Sequence, residues 1–233
     1  MEVLLFSAGM DSYIAWEILK RPQTLYVNLN HKYANQELNR VKNLVPSTII
    51  HDLDLSQFEK DDAEIPLRNL YLCMRAANLG YDKIWLIVQK DEMSIPDRKM
   101  KFFKHTEKLL SNLMEKDIEI DTPFKKMDKT EMVEKYVKGG FDIEKLKQTW
   151  ACYYPEKDNP CGNCPACFRR FVAMKLNNIH EDWHDKIYNS QIAETYRNKA
   201  LSKYYSSRRN KKILEALNEE TNSNFVNSNQ RTQ

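Results

Sequence analysis

A chain of 233 residues, 42% of them apolar, is long enough to bury one core without disulfide staples, and one domain is its simplest division. The 36 Lys and Arg against 33 Asp and Glu leave a net +3, too near neutral to argue for nucleic acid by charge. No run of about 18 apolar residues occurs and no basic segment leads into an apolar stretch at the N-terminus, so neither a membrane span nor a secretory signal is expected, and the cytoplasm is the expected compartment.

Val3-Leu4-Leu5-Phe6 reads as a buried strand, and residues 13–20 place apolar side chains for a helix packed on a sheet. Ser7-Ala8-Gly9-Met10-Asp11-Ser12 therefore lies where strand gives way to helix. Gly9 permits backbone angles that a larger residue resists, and Ala8 and Ser12 are small. The N–H groups of such a turn, with the positive end of the following helix, suit phosphate oxygens. Ser7 and Ser12 add hydroxyl donors, and Asp11 is able to hold a Mg²⁺ carried by a nucleotide. The loop is not a Walker A sequence, which needs distant glycines and a Lys before Ser or Thr. An ordinary strand-to-helix turn of small residues is the plainer reading.

Residues 24–29 predict a second strand, 35–45 a helix stopped by Pro46, and Thr48-Ile49-Ile50 a third strand. Alternation at these intervals indicates a parallel α/β sheet, in which ligands sit beyond the carboxyl ends of the strands, where the phosphate loop would lie. The acidic stretch 52–64 reads as a loop able to fold over the site. Pro66 suits a first helical turn, which brings Arg68 and Asn69 near a helix N-terminus, either as ligand contacts or as a capped, solvated start. Cys73 falls within an apolar pattern and reads as core. Residues 83–88 predict a strand and 97–114 a helix, at whose start Asp97 can cap N–H groups or orient a ligand. A short strand at 117–120 precedes Asp128-Lys129-Thr130-Glu131, a capping-box arrangement opening a helix that Gly139-Gly140 ends. His31 and His51 are isolated, at the surface or in the core. The basic run Arg208-Arg209-Asn210-Lys211-Lys212 reads as a solvated helix face, and 221–233, rich in Asn, Ser, Thr and Gln, as a frayed tail.

Four of the five cysteines fall in a C-x8-C-x2-C-x2-C block, Cys152, Cys161, Cys164 and Cys167. In a reducing compartment such clustering favours a metal over disulfides. Four thiolates with no spare position describe a closed, structural zinc site, and a catalytic zinc would keep a position for water. An iron–sulfur cluster is the alternative, although the bacterial ferredoxin pattern continues to a further Cys that this chain lacks.

The hexapeptide resembles the Ser-Gly-Gly-x-Asp-Ser signature of the PP-loop ATP pyrophosphatases, with Ala8 where that superfamily usually has its first Gly and where an L-residue must avoid strongly positive φ. With Pro66-Leu67-Arg68-Asn69, Ile95-Pro96-Asp97, Asp128-Lys129-Thr130-Glu131 and Thr149-Trp150-Ala151-Cys152 through Cys167-Phe168-Arg169-Arg170 in that order, about residues 2–180 are similar to the 7-cyano-7-deazaguanine synthases. The resemblance implies a five-stranded parallel sheet with helices on both faces (1–140), a zinc-binding helical region of the same compact unit (141–220) and the tail. It implies an ATP-dependent ligase that makes the nitrile from 7-carboxy-7-deazaguanine and ammonia, with Mg²⁺ on the nucleotide and structural zinc on the four cysteines. Phe6, Ser7, Ala8, Gly9, Met10, Asp11 and Ser12 would hold ATP; Ser7, Asp11, Ser12 and Lys129 would act on phosphate; Arg68, Asn69, Asp97 and Asp128 would meet the deazapurine. Membrane and direct nucleic-acid partners are not expected, and a homodimer is admitted. One departure stands out: where the family tends to carry Tyr-Gly-Gln after the second strand, this chain has Asn28-Leu29-Asn30-His31-Lys32-Tyr33. It motivates a rival that stops at the amide. A tRNA-thiolating enzyme would have only Cys73 as a reactive thiol, and a zinc-ribbon nucleic-acid module is opposed by the near-neutral charge.

Overall fold

Val3 and Leu4 are wholly buried and Leu5 nearly so, because strand β1 (Glu2–Leu5) runs through the middle of a sheet covered on both sides. The computed structural model describes residues 1–217; the expected tail at 221–233 lies outside them. Helix α1 (Met10–Ile18) leads to β2 (Thr24–Asn28), α2 (Ala34–Leu44) to β3 (Ile49–Asp52), α3 (Arg68–Asn78) to β4 (Lys83–Trp85), and α4 (Met100–Met114) to β5 (Glu119–Asp121). All pairings are parallel, in the order β3-β2-β1-β4-β5. The order reverses between β1 and β4, so right-handed crossovers put α1 and α2 on one face and α3 and α4 on the other. α3 packs on α4, whereas α1 packs on α5 (Lys129–Lys138) and α6 (Ile143–Lys147).

Alternate strand residues supply the two faces. Val3, Leu5, Leu25, Val27, Ile84 and Ile120 belong to one core with Cys73, Ala76, Ala77 and Phe103 from α3 and α4. Ala76 and Ala77 are fully buried and short, which lets α3 lie close to the strands. Phe103 is also sealed, and truncating such a side chain costs about 3–5 kcal/mol. On the opposite face Tyr13 of α1 meets Tyr136 of α5, ring centroids 6.3 Å apart, over buried Met132 and Val133.

Several boundaries differ from the sequence expectation. β4 ends at Trp85 rather than Val88, because the Thr122 side chain takes over the ladder: its hydroxyl donates to Val88 O (2.8 Å) and accepts from Val88 N (3.3 Å). α3 begins at Arg68, leaving Pro66 outside, since Leu67 has φ 60° and breaks the helical path. α4 begins at Met100; Pro96–Arg98 is a separate 3-10 turn and Lys99 is extended, so Asp97 does not cap the helix.

By chain contact the protein divides into two compact units, Met1–Cys161 and Gly162 onward, which keeps 141–161 with the sheet. The second unit is helical: α7 (Pro165–Lys175), α8 (Asp185–Tyr188), α9 (Gln191–Leu201) and α10 (Ser207–Ala216). Within it Phe168 stacks on Tyr196 at 4.3 Å. Arg170 donates to both Glu181 oxygens, at 2.8 and 2.7 Å, and His184 Nε2 lies 3.2 Å from the same carboxylate. All three side chains are buried, so these polar groups bond one another rather than water. Among the described residues no helix is long and apolar enough to cross a membrane.

Candidate functional site: a phosphate loop and a four-cysteine cluster

β1 hands the chain to the loop through buried Phe6, whose N donates to Leu25 O at 2.9 Å. The left-handed residue of the turn is Ala8, at φ 54°, and not Gly9, whose φ of −69° any residue can adopt. The expectation that Ala8 avoids positive φ is therefore corrected. Gly9 serves space instead: a Cβ there would sit 3.1 Å from Ser7 Oγ and 3.6 Å from Trp150 O. Gly9 is also the N-cap of α1 and offers no side-chain cap, so the helix start keeps N–H groups for another acceptor. Met10, 3% exposed, anchors that first turn.

The hydroxyls converge. Ser12 Oγ donates to Gly9 O (3.0 Å) and lies 3.5 Å from Ser7 Oγ, which accepts from Gly9 N at 3.3 Å. Asp11 of α1 is ion-paired with Lys129 of α5, each about a fifth exposed. A carboxylate, an ammonium and two hydroxyls thus face the same turn, a set suited to a polyphosphate and its cation.

The expected substrate residues separate into two groups. Asn69 and Asp97 are brought together: Asn69 Nδ2 donates to the Asp97 carbonyl at 3.2 Å. The Asp97 carboxylate and the Arg68 guanidinium, both partly exposed, make no hydrogen bond or ion pair among the described residues, which leaves both for a ligand. Asp128, 6% exposed, has its side chain on Glu131 N (3.1 Å), while Glu131 Oε2 accepts from Asp128 N (2.9 Å). Its carboxylate caps α5 and thereby aims the neighbouring Lys129 at Asp11. Cys73 is fully buried, and burial pushes its thiol up to about 12, the reverse of a reactive cysteine.

A polar cluster was not read from the sequence. His31, 8% exposed, lies with Nε2 3.2 Å from Glu37 Oε2, and Tyr26 donates its hydroxyl to the same oxygen at 3.4 Å. The Tyr33 ring lies 4.0 Å from His31 and 5.6 Å from Tyr153. Burial first, and then the Glu37 charge, push the Tyr26 and Tyr33 phenols well above their ordinary range. The only signal available in sequence was the departure at residues 28–33.

Trp150 joins the phosphate loop to the cysteines. Its N donates to Ala8 O at 2.9 Å, and its indole donates to Cys152 O at 2.9 Å. The Sγ atoms of Cys152, Cys161, Cys164 and Cys167 all lie within 4.8 Å of one another, three of the residues being buried. Tetrahedral zinc at a Zn–S distance of about 2.3 Å sets sulfur pairs ~3.8 Å apart, which this cluster meets with a small contraction. An iron–sulfur cluster interposes several atoms between its thiolates and needs them farther apart. Tyr154 N and Cys161 N each donate to Cys152 Sγ at 3.3 Å, and Cys167 N to Cys164 Sγ at 3.5 Å, bonds that favour thiolates. Gly162 turns between ligands at φ 69°. The donor set therefore fits one zinc ion with no position left for water.

The model of the family described as "Queuosine biosynthesis protein QueC" matches residues 42–178, a span that holds Arg68, Asn69, Asp97, Asp128, Lys129 and the four cysteines. The chain is 31% identical to the 7-cyano-7-deazaguanine synthase of Rickettsia akari, over 77% of this chain and 96% of that protein. It is 24% identical to the protein of the same name from Sulfurovum sp. (strain NBC37-1), over 77% and 95% of the two chains. To that from Staphylococcus haemolyticus it is 30% identical, over 72% and 77%.

Proposed function

The chain belongs to the QueC family of queuosine biosynthesis proteins, and from that premise we propose that it is an ATP-dependent carbon–nitrogen ligase making 7-cyano-7-deazaguanine from 7-carboxy-7-deazaguanine and ammonia. The observation that carries this reading is the turn Ser7–Ser12, with two hydroxyls, an uncapped helix start and the Asp11–Lys129 pair on one side of it.

A carboxylate is a poor electrophile, so it first needs a leaving group. Its oxygen attacks the α phosphate of ATP, giving an acyl adenylate and pyrophosphate. Ser7, Ser12 and the N–H groups of α1 hold the departing pyrophosphate. Asp11 would hold the Mg²⁺ that arrives on the nucleotide, spreading phosphate charge. That frees Lys129 from its partner to meet the phosphates. Ammonia then displaces AMP to give the amide; adenylation of the amide oxygen by the same loop, followed by elimination, gives the nitrile. Asp97 accepts from the guanine-like N–H edge, and Arg68 and Asn69 line the same approach. Bound zinc would supply no chemistry; Cys152, Cys161, Cys164 and Cys167 would use it to hold their loop. The enzyme would work in the cytoplasm, on small molecules, without membrane or nucleic-acid contact.

Incubation with ATP, Mg²⁺, ammonium and 7-carboxy-7-deazaguanine, followed by mass spectrometry of nucleotide and base, tests the proposal. AMP, pyrophosphate and nitrile are expected; no nucleotide cleavage would sink it. The altered segment at residues 28–33 favours a second reading, in which the amide is the final product, and the same spectrum separates the two. Asp97→Ala should raise KM for the deazapurine by about tenfold or more and leave KM for ATP near its original value, as expected when one charged hydrogen bond is lost. Equal changes in both would remove Asp97 from base recognition.

A further inference from the structure

A buried histidine that bonds through one nitrogen and leaves the other bare is costly unless the bare nitrogen has work to do. His31 is such a residue: it is 8% exposed, its Nε2 lies on Glu37, and its Nδ1 has no hydrogen-bond partner among the described residues. Because Glu37 Oε2 also accepts from Tyr26, that carboxylate is an acceptor toward both neighbours, and the His31 proton resides on Nε2. Nδ1 is left as a lone-pair acceptor. A second orphan belongs to the same surroundings. Glu59 accepts from Lys32 N through Oε2 at 3.0 Å, while its buried Oε1 has no hydrogen bond and lies 3.9 Å from Lys32 Nζ. Both orphans are acceptors, so the partner they lack is a donor. Tyr33 connects them: its ring lies tilted against His31, centroids 4.0 Å apart, and the charges of Glu59 and Arg68 act on its phenol.

The position fits the proposed reaction. His31 follows β2, the strand beside β1, so it leaves the sheet at the edge where the phosphate loop leaves it. Tyr153, against Tyr33, is three residues along the chain from Trp150, whose N bonds Ala8 in that loop. The nitrogen-transfer half of the reaction needs a proton acceptor that the phosphate loop does not supply, since Asp11 is engaged with Lys129 and, once nucleotide binds, with its Mg²⁺.

We infer that His31 is the general base of nitrogen transfer, with Glu37 fixing its tautomer and ammonium as the donor that the orphaned acceptors await. The inference rests on the adenylating reading above. Ammonium gives one proton to His31 Nδ1. The lone pair so exposed attacks the acyl carbon, the bond from carbon to the AMP oxygen breaks with its electron pair leaving on AMP, and the positive nitrogen loses its second proton to water. In the second half, the amide adenylated on oxygen loses one N–H proton to water and becomes an imidate; Nδ1 takes the remaining N–H proton while the carbon–oxygen bond to AMP breaks with its electron pair leaving on AMP, and the C≡N bond forms. Between halves the imidazolium returns its proton to water. Glu37, Tyr26, Tyr33, Glu59, Lys32 and Arg68 are the titratable groups around the ring.

His31→Gln separates the steps. ATP–pyrophosphate exchange with 7-carboxy-7-deazaguanine reports adenylation alone and should stay within about threefold. Product from ammonium should fall by about 10²–10⁴, the usual worth of a positioned base. Hydroxylamine is largely neutral at pH 7 and needs no deprotonation, so hydroxamate formation should also survive. A parallel fall in all three, or undiminished use of ammonium, overturns the inference. If His31→Gln does not fold, Glu37→Gln decides on the same split in weaker form; a uniform change there overturns it. No exchange in the unsubstituted protein would instead overturn adenylation itself, and this inference with it.

Discussion

At Ala8 three effects nearly cancel. An L-residue at positive φ is strained by roughly 1–2 kcal/mol. Glycine would remove the strain but would lose about 0.5–1 kcal/mol to unfolded-chain entropy and ~0.8 kcal/mol of buried methyl. Ala8→Gly should therefore shift Tm by less than about 4 °C in a melt followed by circular dichroism. Ala8→Val meets the same φ of 54° with a branched Cβ at a fully buried position, and should cost more than about 2 kcal/mol. A Val variant as stable as the parent would mean that the turn is not built as described. Residue chemistry was legible in the hexapeptide itself: small residues, two hydroxyls and a carboxylate between a strand and a helix. The division of labour between Ala8 and Gly9 was not, because φ depends on where the helix starts, and α1 starts at Met10 rather than Tyr13.

Among elements, the helical unit carries the clearest pH dependence. Burial alone would raise the Glu181 carboxyl, but the Arg170 charge and the hydrogen bonds from His184 and Arg170 outweigh it and hold it at about 2 against an ordinary 4.5. A depressed carboxyl contributes stability that is fully present above about 4.5 and lost as pH falls towards 2. The loss is on the order of 3 kcal/mol. Urea midpoints taken across that window should fall steeply for the parent and less so for Glu181→Gln. At pH 7 the variant, which loses the carboxylate charge that faces buried Arg170, should be weaker by about 3–5 kcal/mol. Parallel curves would remove Glu181 as the acid-sensitive group. Nothing in the sequence joined Arg170 to Glu181, since the pair spans the turn after α7. The capping box at Asp128 was readable because all its parts lie within four residues. The same locality misled at Asp97, whose cap depended on a helix start that Lys99 postpones.

In the molecule as a whole, the sheet was legible because β1 and β2 are apolar without alternation, as strands covered on both faces must be, and helices separate them. The group at His31, Glu37, Glu59 and Tyr153 was not, because no local pattern announces side chains that meet only after β2, β3 and the segment around Cys152 have reached one edge of the sheet.

That segment gives the cysteine cluster its consequence for activity. Trp150 N bonds Ala8 O, the Trp150 indole bonds Cys152 O, and Cys152 is one of four thiolates that would repel one another if ionised without a cation. A metal held by Cys152, Cys161, Cys164 and Cys167 would therefore fix the strap lying against the phosphate loop. Elemental analysis should find one zinc per chain. Stripping it with a chelator at neutral pH should change Trp fluorescence, and in a Trp150→Phe variant most of that change should vanish. ATP–pyrophosphate exchange should fall by tenfold or more and return with added Zn²⁺, as expected where metal binding and local folding are one equilibrium. A stripped protein that exchanges at the full rate would show that the strap keeps its place without the metal, and that the cluster has no hold on the loop.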